Sequence, residues 1–363
     1  MSDLDLSGDV VDLFQTLVDI ESVSGNEGPI TDAIEAALQN QPHLKTDRIG
    51  NTLIARTELG RDNRVLVAGH TDTVPLTTPE PNLPSRFEGS GADRILIGRG
   101  TCDMKGGVAV ALSLAAELTE PVHDVTWVCY DNEEVEAAKN GLNKVAAERP
   151  ELLAADFAVL GEPTGARVEG GCQGTMRAVV TFTGTAAHSA RAWMGHNAIH
   201  DAAELLNRLT AHEPEKPMVD GLEYHEGLNA VRITGGIAGN VIPDRCEIEL
   251  NYRFAPDKDL AAAEAYLTDF LQGLDFRITD KAAGARPGLD LPVAQGFLAA
   301  VGGEPRAKYG WTDVSRFAAL GVPAVNFGPA DPIKAHTDDE YCPIDQLHRC
   351  REVLGGWLSG GAR

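Results

Sequence analysis

The chain has 363 residues, 43% of them hydrophobic, which is enough for two or three domains with real cores and excludes a disordered protein. Asp and Glu number 54 against 31 Lys and Arg, for a net charge of −23, and this acidity argues against nucleic acid as a partner. We find no signal-peptide pattern and no run near the roughly 18 apolar residues of a membrane span, so we expect a cytoplasmic protein without a membrane partner. The six cysteines show no CxxC spacing, which favours free thiols.

The first half of the chain alternates between helical and strand patterns. Apolar residues recur at helical spacing over 10–39, with a break at 24–26. Short apolar runs at 64–69, 125–130 and 157–160 predict strands buried on both faces, and 106–118 predicts an apolar helix. This alternation predicts an α/β fold with a mostly parallel sheet and helices on both faces.

The pattern changes near Cys172 and changes back near residue 284. Between these points, strand and helix patterns follow each other in the order β-α-β-β-α-β, which is the ferredoxin-like arrangement. The predicted elements are strands at 176–183, 229–238, 245–254 and 275–279 and helices at 197–210 and 260–271. A helix from about 291, a strand at 324–327 and a helix at 344–358 then resume the α/β pattern. We therefore predict a catalytic domain at 1–173 and 284–363, with a smaller α+β domain at 174–283 inserted in it.

Acidic residues and histidines follow several of the predicted strands of the larger domain. They are His70 and Asp72, Glu133 and Glu134, Glu162, and His336, while Asp103 lies in a glycine-rich turn before a helix. Ligands of an open parallel sheet gather beyond the carboxyl ends of its strands, so these side chains are expected at one edge. Taken singly, each segment also fits an ordinary polar loop, but their occurrence together favours a functional site.

Two histidines and several carboxylates are what a pair of zinc ions and a general base would need. Cobalt and manganese accept the same ligands. Of the adjacent pair Glu133 and Glu134, one could bind metal while the other takes a proton from water. Asp72 could hydrogen-bond the second ring nitrogen of His70 and fix its tautomer. The pattern therefore predicts hydrolysis assisted by paired metals.

These motifs make the chain similar to the dinuclear zinc aminoacylase and carboxypeptidase family. The resemblance is carried by 69–75 (GHTDTVP), 100–107 (GTCDMKGG), 131–134 (DNEE), 161–163 (GEP) and 336–340 (HTDDE). It implies that Asp103 bridges two zinc ions, with His70 and Glu162 on one and Glu134 and His336 on the other. It also implies Glu133 as general base and a cis peptide bond between Asp103 and Met104.

The inserted domain corresponds to the lid and dimerisation domain of that family, so the resemblance implies a homodimer. His188 would cross from the partner subunit and stabilise the tetrahedral oxyanion. Asn240 would contact substrate across the dimer, and Arg253 would meet a substrate carboxylate. Considered without the resemblance, His188 and Arg253 also fit ordinary surface positions.

Two further segments bear on the substrate. Residues 190–195 (ARAWMG) and 308–317 (KYGWTDVSRF) resemble the desuccinylase branch of the family as it occurs in actinobacteria, although Trp311 replaces a small residue found in more widespread members. Thr312 is a candidate substrate contact, and Arg191, Arg253 and Arg316 could each clamp a carboxylate by two hydrogen bonds.

We therefore expect a small substrate with several carboxylates. The resemblance implies hydrolysis of N-succinyl-L,L-2,6-diaminopimelate to succinate and L,L-2,6-diaminopimelate, in lysine and cell-wall biosynthesis. N-acetylornithine deacetylation and dipeptidase or carboxypeptidase activity are the enzymatic alternatives. A member that binds ligand without hydrolysis is a further alternative, which the presence of the base and of every matched ligand disfavours.

Overall fold

The structure is a computed structural model that describes residues 4–361 and contains two compact units. The first unit comprises 4–170, Pro287–Arg306 and 312–361, and the second comprises Gly171–Arg286 and Ala307–Trp311. The sequence analysis places the inserted domain at 174–283 and leaves 307–311 in the catalytic part, where the structure packs that segment with the second unit. The division into functional domains stays a prediction, because compactness does not show that either unit folds or acts by itself.

The α-helices between residues 4 and 361 lie in both units. They are α1 (Val10–Asp19), α2 (Gly28–Gln39), α3 (Lys105–Glu117), α4 (Gly141–Glu148), α5 (Ala198–Ala211), α6 (Leu260–Phe270), α7 (Pro292–Val301), α8 (Val314–Ala319) and α9 (Ile344–Leu358). None of these helices combines the length and the apolar character needed to cross a membrane.

The longest strands, of eight to ten residues, lie in the second unit. They are β1 (Lys45–Ile49), β2 (Thr52–Arg56), β3 (Arg64–His70), β4 (Arg86–Glu88), β5 (Ile95–Ile97), β6 (Asp124–Tyr130), β7 (Phe157–Leu160), β8 (Glu169–Gly170), β9 (Gly174–Thr183), β10 (Ala187–His188), β11 (Met218–Val219), β12 (Leu222–Glu223), β13 (Gly227–Gly235), β14 (Val241–Ile242), β15 (Arg245–Phe254), β16 (Asp275–Ala282), β17 (Arg306–Ala307), β18 (Ala324–Asn326) and β19 (Tyr341–Pro343).

The first unit is built on one central mixed sheet. Its strand order is β1-β2-β6-β3-β7-β18-β8, and Arg306 of β17 continues it at the edge. The middle strands β6, β3, β7 and β18 are parallel to one another, whereas β1, β2 and β8 run antiparallel to their neighbours. Every residue of β6 is buried, as expected for a parallel strand covered on both faces. The predicted α/β architecture is confirmed.

Helix α3 forms the centre of the first unit. Its residues from Lys105 to Ala115 are all buried, so the helix has no solvent face. It packs against β3, α1 and α9. This position places the turn that precedes α3, which carries Asp103, beside the carboxyl end of β3.

The second unit has the predicted ferredoxin-like order, β9-α5-β13-β15-α6-β16. Its main sheet is antiparallel with strand order β13-β15-β9-β16. β9 and β15 alternate buried and more exposed residues, so one face of the sheet packs on α5 and α6. The core between them includes Val180, Leu205, Ile248, Leu250 and Leu267, each fully buried.

Candidate metal centre

Three adjacent parallel strands bring polar side chains to one edge of the central sheet. β3 pairs in parallel with β6 on one side and with β7 on the other. His70 is the last residue of β3, Glu133 and Glu134 follow β6, and Glu162 follows β7. Because parallel strands end at the same edge, the backbone directs these four residues toward one place.

His70 is 1% exposed, and both of its ring nitrogens face acceptors. Nδ1 donates to the backbone carbonyl of Asp72 at 3.0 Å, and Nε2 lies 3.0 Å from Oδ1 of Asp103. Burial would lower the pKa of His70, but the carboxylates of Asp103 and Asp72 outweigh burial and hold this pKa well above its ordinary value. Because a carbonyl can only accept, it keeps the Nδ1 proton, and Nε2 is the nitrogen that a metal would take.

Asp72 therefore orients the ring of His70 mainly through its carbonyl, since its carboxylate is farther away, 3.5 Å from Nδ1. The carboxylate of Asp72 instead accepts hydrogen bonds from other groups. Oδ1 accepts from the backbone N–H of Glu133 at 3.0 Å, and Oδ2 accepts from that of Glu134 at 3.1 Å and from the hydroxyl of Ser24 at 2.7 Å. Asp72 thus fixes the segment after β6 relative to the end of β3.

The carboxylate of Asp103 lies between two histidines. Its Oδ1 faces Nε2 of His70, and its Oδ2 lies 3.3 Å from Nε2 of His336, which also lies 2.9 Å from Oε1 of Glu134. The hydrogen bonds to Asp103 and Glu134 raise the pKa of His336 to about 10. Burial would raise the pKa of Asp103, but His336 and His70 lower it. The peptide bond after Asp103 is cis, as the resemblance implies.

This arrangement fits divalent metals. One ligand atom each from His70, Asp103 and Glu134 lie within 4.8 Å of one another. Imidazole nitrogens and carboxylate oxygens are the donors that zinc accepts. The two oxygens of Asp103 face different histidines, as a carboxylate shared by two metals would do.

Glu162 approaches the same edge through a tight contact between backbones. A side chain at Gly107 of α3 would overlap the backbone of Gly161, so both glycines are required for α3 to pass this close to the end of β7. Glu162 follows directly and is 5% exposed. Its negative charge acts on Glu133 and raises the pKa of that carboxyl.

Glu133 has the environment of a proton acceptor. Burial is the largest cause that raises its pKa well above the ordinary value, and the negative charge of Asp313 is the next. Glu162 and Glu134 act in the same direction, whereas His70 opposes them. A raised pKa brings a carboxylate nearer to neutral pH, where a general base is most effective.

Thr312 and Arg316, two candidate substrate contacts, are engaged with buried groups of the first unit. The hydroxyl of Thr312 donates to Oδ1 of Asn326 at 2.9 Å. Nε of Arg316 donates to Oδ1 of Asp313, whose Oδ2 accepts from the side chain of Asn140 at 2.9 Å. The structure thus gives both residues partners within the first unit. Their roles toward substrate stay predictions.

The second unit brings His188 and Asn240 together. His188 is paired with Val241 between β10 and β14, and the backbone N–H of Ser189 donates to the carbonyl of Asn240 at 2.9 Å. Nδ1 of His188 accepts from the backbone N–H of Ala190 at 3.1 Å, so the neutral ring carries its proton on Nε2. The exposed His188 therefore offers a hydrogen-bond donor, as an oxyanion would need. Arg191 lies in the adjoining 3-10 helix, Ser189–Met194, and is exposed.

Arg253 lies elsewhere in the second unit. Its Nε donates to Oδ1 of Asn251 at 3.1 Å, which orients the guanidinium. Burial is the main cause that lowers its pKa, and the charge of Arg177 adds to the effect. Arg253 is at one end of β15, whereas β10 and β14, with His188, lie beyond the other end.

Sequence reasoning assigned no role to three buried charged residues near the cluster, Arg99, Asp313 and Glu340. They are 4%, 0% and 1% exposed. Glu340 closes the motif that begins with His336, so a carboxylate four residues from a predicted ligand was the available signal. Arg99 and Asp313 also lie within quoted segments, but nothing in their spacing indicates burial.

The fold and the cluster together define the class of the protein, a metal-dependent hydrolase. The chain matches the model of Peptidase family M20/M25/M40 over residues 66–359, and it belongs to that family. The resemblance found in the motifs is therefore confirmed.

Two relatives match almost the whole chain. A Mycobacterium tuberculosis chain, provisionally named succinyl-diaminopimelate desuccinylase DapE, is 52% identical over 360 residues, which are 98% of this chain and 100% of the relative. The succinyl-diaminopimelate desuccinylase of Corynebacterium glutamicum is 47% identical over 367 residues, covering 98% of each chain.

Solved structures at lower identity share the fold. Aminopeptidase PepT of Bacillus cereus has a TM-score of 0.77 at 18% identity and covers 100% of both chains. The YXEP protein of Bacillus subtilis, described as a dinuclear metal-binding peptidase of the M20 family, has a TM-score of 0.71 at 16% identity and covers 96% of both chains. At these identities the likeness bears on the fold alone.

Proposed function

We propose that this chain hydrolyses N-succinyl-L,L-2,6-diaminopimelate to succinate and L,L-2,6-diaminopimelate. One observation carries the hydrolytic part: the carboxylate of Asp103 lies between His70 and His336, with Glu133 beside the cluster. The names of the two near full-length relatives support this substrate over acetylornithine and over peptides. The structural neighbours named as peptidases do not alter this choice, because they are less than 25% identical to the chain.

Two metals would be held by five side chains. His70 and Glu162 would serve one metal, Glu134 and His336 the other, and Asp103 both. Zinc is the proposed metal, and cobalt fits the same donors. When bound, such a pair lowers the pKa of water and polarises the scissile carbonyl.

Glu133 takes one proton from the attacking water, whose oxygen bonds to the amide carbon. The carbon–nitrogen bond then breaks, and Glu133 returns the proton to the departing amine, so that succinate and the free amino group result. The backbone N–H of Glu133 is held by Asp72, which keeps the carboxylate in place during both transfers.

His188 donates from Nε2 to the oxyanion of the partner subunit's reaction, and Arg253 and Asn240 contact the substrate. A distance within the second unit supports this sharing. His188 lies beyond the Arg245 end of β15, and Arg253 lies near the other end. The eight residue steps from Arg245 to Arg253 span roughly 27 Å in an extended strand. A small substrate that meets both residues must therefore take them from different chains.

The chain acts as a homodimer through the second unit. β13 is an edge strand that pairs with β15 on one side, and its Val231 and Ile233 are 58% and 52% exposed. Ile199 and Leu206 of the neighbouring α5 are also exposed. An apolar edge strand of this kind invites pairing with another strand, and a second copy of the chain offers the same edge.

The enzyme works in the cytoplasm on a free small molecule. All six cysteines are buried free thiols, which suits a reducing compartment. The net charge of −23 disfavours a nucleic-acid partner.

The test is succinate release from N-succinyl-L,L-2,6-diaminopimelate by metal-free protein titrated with zinc, with N-acetylornithine and a dipeptide panel assayed in parallel. We expect succinate release that rises with zinc and exceeds turnover of the other substrates. Faster deacylation of acetylornithine would reject the proposed substrate while retaining the metal centre. Unchanged activity without any metal would reject the mechanism.

A further inference from the structure

Glu340 is a buried carboxylate whose oxygens are both occupied by protein groups. Its Oε1 accepts from the backbone N–H groups of Cys102 and Asp103, at 3.0 and 3.1 Å. Its Oε2 accepts from Nη1 of Arg99 at 2.7 Å. Glu340 therefore does not point an oxygen into the metal cluster; it holds the backbone of the residue placed at the centre of that cluster.

Arg99 extends this contact to two further segments. Its Nε donates to the carbonyl of Pro75 at 3.1 Å, and Nη1 also reaches the carbonyl of Thr337 at 3.3 Å. Pro75 belongs to the segment that follows His70, and Thr337 is next to His336. One buried ion pair thus joins the chain segments that carry three of the proposed ligands.

The short sheet β4-β5-β19 places this pair. Tyr341 of β19 is opposite Ile97 of β5, and the backbone N–H of Gly98 donates to the carbonyl of Glu340 at 3.1 Å. The pairing of β5 with β19 therefore lies next to the segment that carries Asp103 and the segment that carries His336.

We propose that Arg99 and Glu340 are positioning residues that set the metal affinity of the centre. A buried ion pair contributes little net stability when set against apolar replacements, because removing two charges from water is costly. Its geometric effect is larger, since it fixes the backbone of Asp103 relative to His70 and His336. This inference rests on the proposed metal site, and neither residue needs to touch a metal or the substrate.

Glu340→Gln separates the geometric role from side-chain size. Glutamine has one acceptor oxygen, and its NH₂ group would face the N–H donors of Arg99. Either the bond to Arg99 or the bonds to Cys102 and Asp103 must then be lost. Arg99→Lys serves as a second variant, because lysine keeps the buried charge but cannot bond Glu340, Pro75 and Thr337 in the same planar arrangement.

Asp124→Asn is a matched control. Asp124 is also a buried carboxylate, 4% exposed, that accepts from two backbone N–H groups, those of Leu59 and Arg61. It also lies 3.7 Å from the guanidinium of Arg64. However, it is the first residue of β6, at the opposite end of the strand from Glu133.

The measurement is zinc affinity of the metal-free full-length protein, by competition with a chromogenic chelator, together with unfolding in the presence of excess chelator. We expect Glu340→Gln to weaken zinc binding roughly 10- to 100-fold, as changes to groups that support metal ligands do, and Arg99→Lys to weaken it less. Asp124→Asn should leave zinc affinity unchanged although it lowers the stability of the metal-free protein.

Wild-type zinc affinity in folded Glu340→Gln would overturn the positioning role. Equal losses of affinity in Glu340→Gln and Asp124→Asn would also overturn it, since general destabilisation would then explain both. Should Glu340→Gln not fold, the folded Arg99→Lys variant decides by the same criterion. These readings need no substrate, so they are independent of the succinate assay; a wild-type protein that binds no zinc would refute both the metal site and this inference.

Discussion

Replacement of Glu133 by glutamine tests the proposed chemistry most directly. Glutamine has nearly the same shape as glutamate but cannot take a proton from water. The backbone N–H of residue 133 would still donate to Asp72, so the segment after β6 should keep its position. The metal-ligand candidates Asp103, Glu134 and His336 are not altered.

The expected loss can be estimated from the role assigned to Glu133. General acid–base catalysis contributes about 10²- to 10⁴-fold, which corresponds to roughly 3–5 kcal/mol in the activation barrier. We expect kcat to fall by this factor, while zinc content stays the same.

Stability should behave in the opposite way from activity. The pKa of Glu133 is higher in the folded metal-free protein than in an unfolded chain, mainly because of burial and then because of the charge of Asp313. Above the unfolded pKa, this higher folded pKa makes the folded state less stable than an ordinary pKa would, and the penalty fades as the pH falls toward the unfolded pKa. Glu133→Gln removes the penalty, so the free energy of unfolding of the metal-free variant should equal or exceed that of the wild type.

The assay combines succinate release, metal content by elemental analysis, and chemical unfolding in excess chelator. Glu136→Gln is the control, because Glu136 lies in the same segment with its side chain 73% exposed and paired only with Lys139 at the surface. Its kcat should match that of the wild type. Full turnover by Glu133→Gln, with normal metal content, would refute the assignment of the base.

Three further outcomes are expected. Mixing His188→Ala with Glu133→Gln subunits should restore about a quarter of wild-type activity, because about half the dimers would be mixed and each mixed dimer would hold one intact site of its two. Confirmed heterodimers without activity would contradict a shared site. Ile233→Lys should convert dimers to monomers in light scattering and reduce activity, whereas Leu320→Lys, at an exposed apolar residue of the first unit, should do neither; a dimer that survives Ile233→Lys would place the interface elsewhere. Burial would raise the pKa of Asp124, but the N–H groups of Leu59 and Arg61 lower it, so this carboxylate contributes stability above its unfolded pKa and loses it as the pH falls through the lower folded pKa. The difference in unfolding free energy between wild type and Asp124→Asn should therefore be constant near neutral pH and shrink below about pH 4. A difference that shrank only above neutral pH would contradict this reasoning.

Elements with strong periodicity or burial were predictable from sequence, and very short elements were not. The predicted bounds of β15 and α9 agree with the structure at both ends. The alternating pattern of β15 and the helical spacing of α9 leave few alternative readings. The sheet formed by β4, β5 and β19 was missed because strands of three residues show no periodicity. That sheet holds the Asp103 and His336 segments together, so the omission concerned the site as well as the fold.

The candidate metal ligands were predictable because the ends of the strands can be located in the sequence. The groups that hydrogen-bond those ligands and hold them in place were not predictable. Asp72 was expected to hydrogen-bond the second ring nitrogen of His70, and the group that does so at the shorter distance is its backbone carbonyl. Backbone groups do not differ from residue to residue, so no spacing rule reveals such a bond. The same holds for Glu340, whose partners at Cys102 and Asp103 are backbone N–H groups.

The charges of the cluster connect metal binding to the state of the histidines. Asp103, Glu133, Glu134 and Glu162 bring several negative charges to one edge of the sheet, a concentration that repels itself in a low dielectric. In the metal-free molecule, the neighbouring carboxylates raise the pKa values of His70 and His336, that of His336 to about 10. Protons on these histidines therefore partly offset the repulsion. Metal ions would offset the same repulsion by taking the positions of those protons. Protons and metals therefore compete for the same nitrogens, so metal uptake must release protons and acid must weaken metal binding.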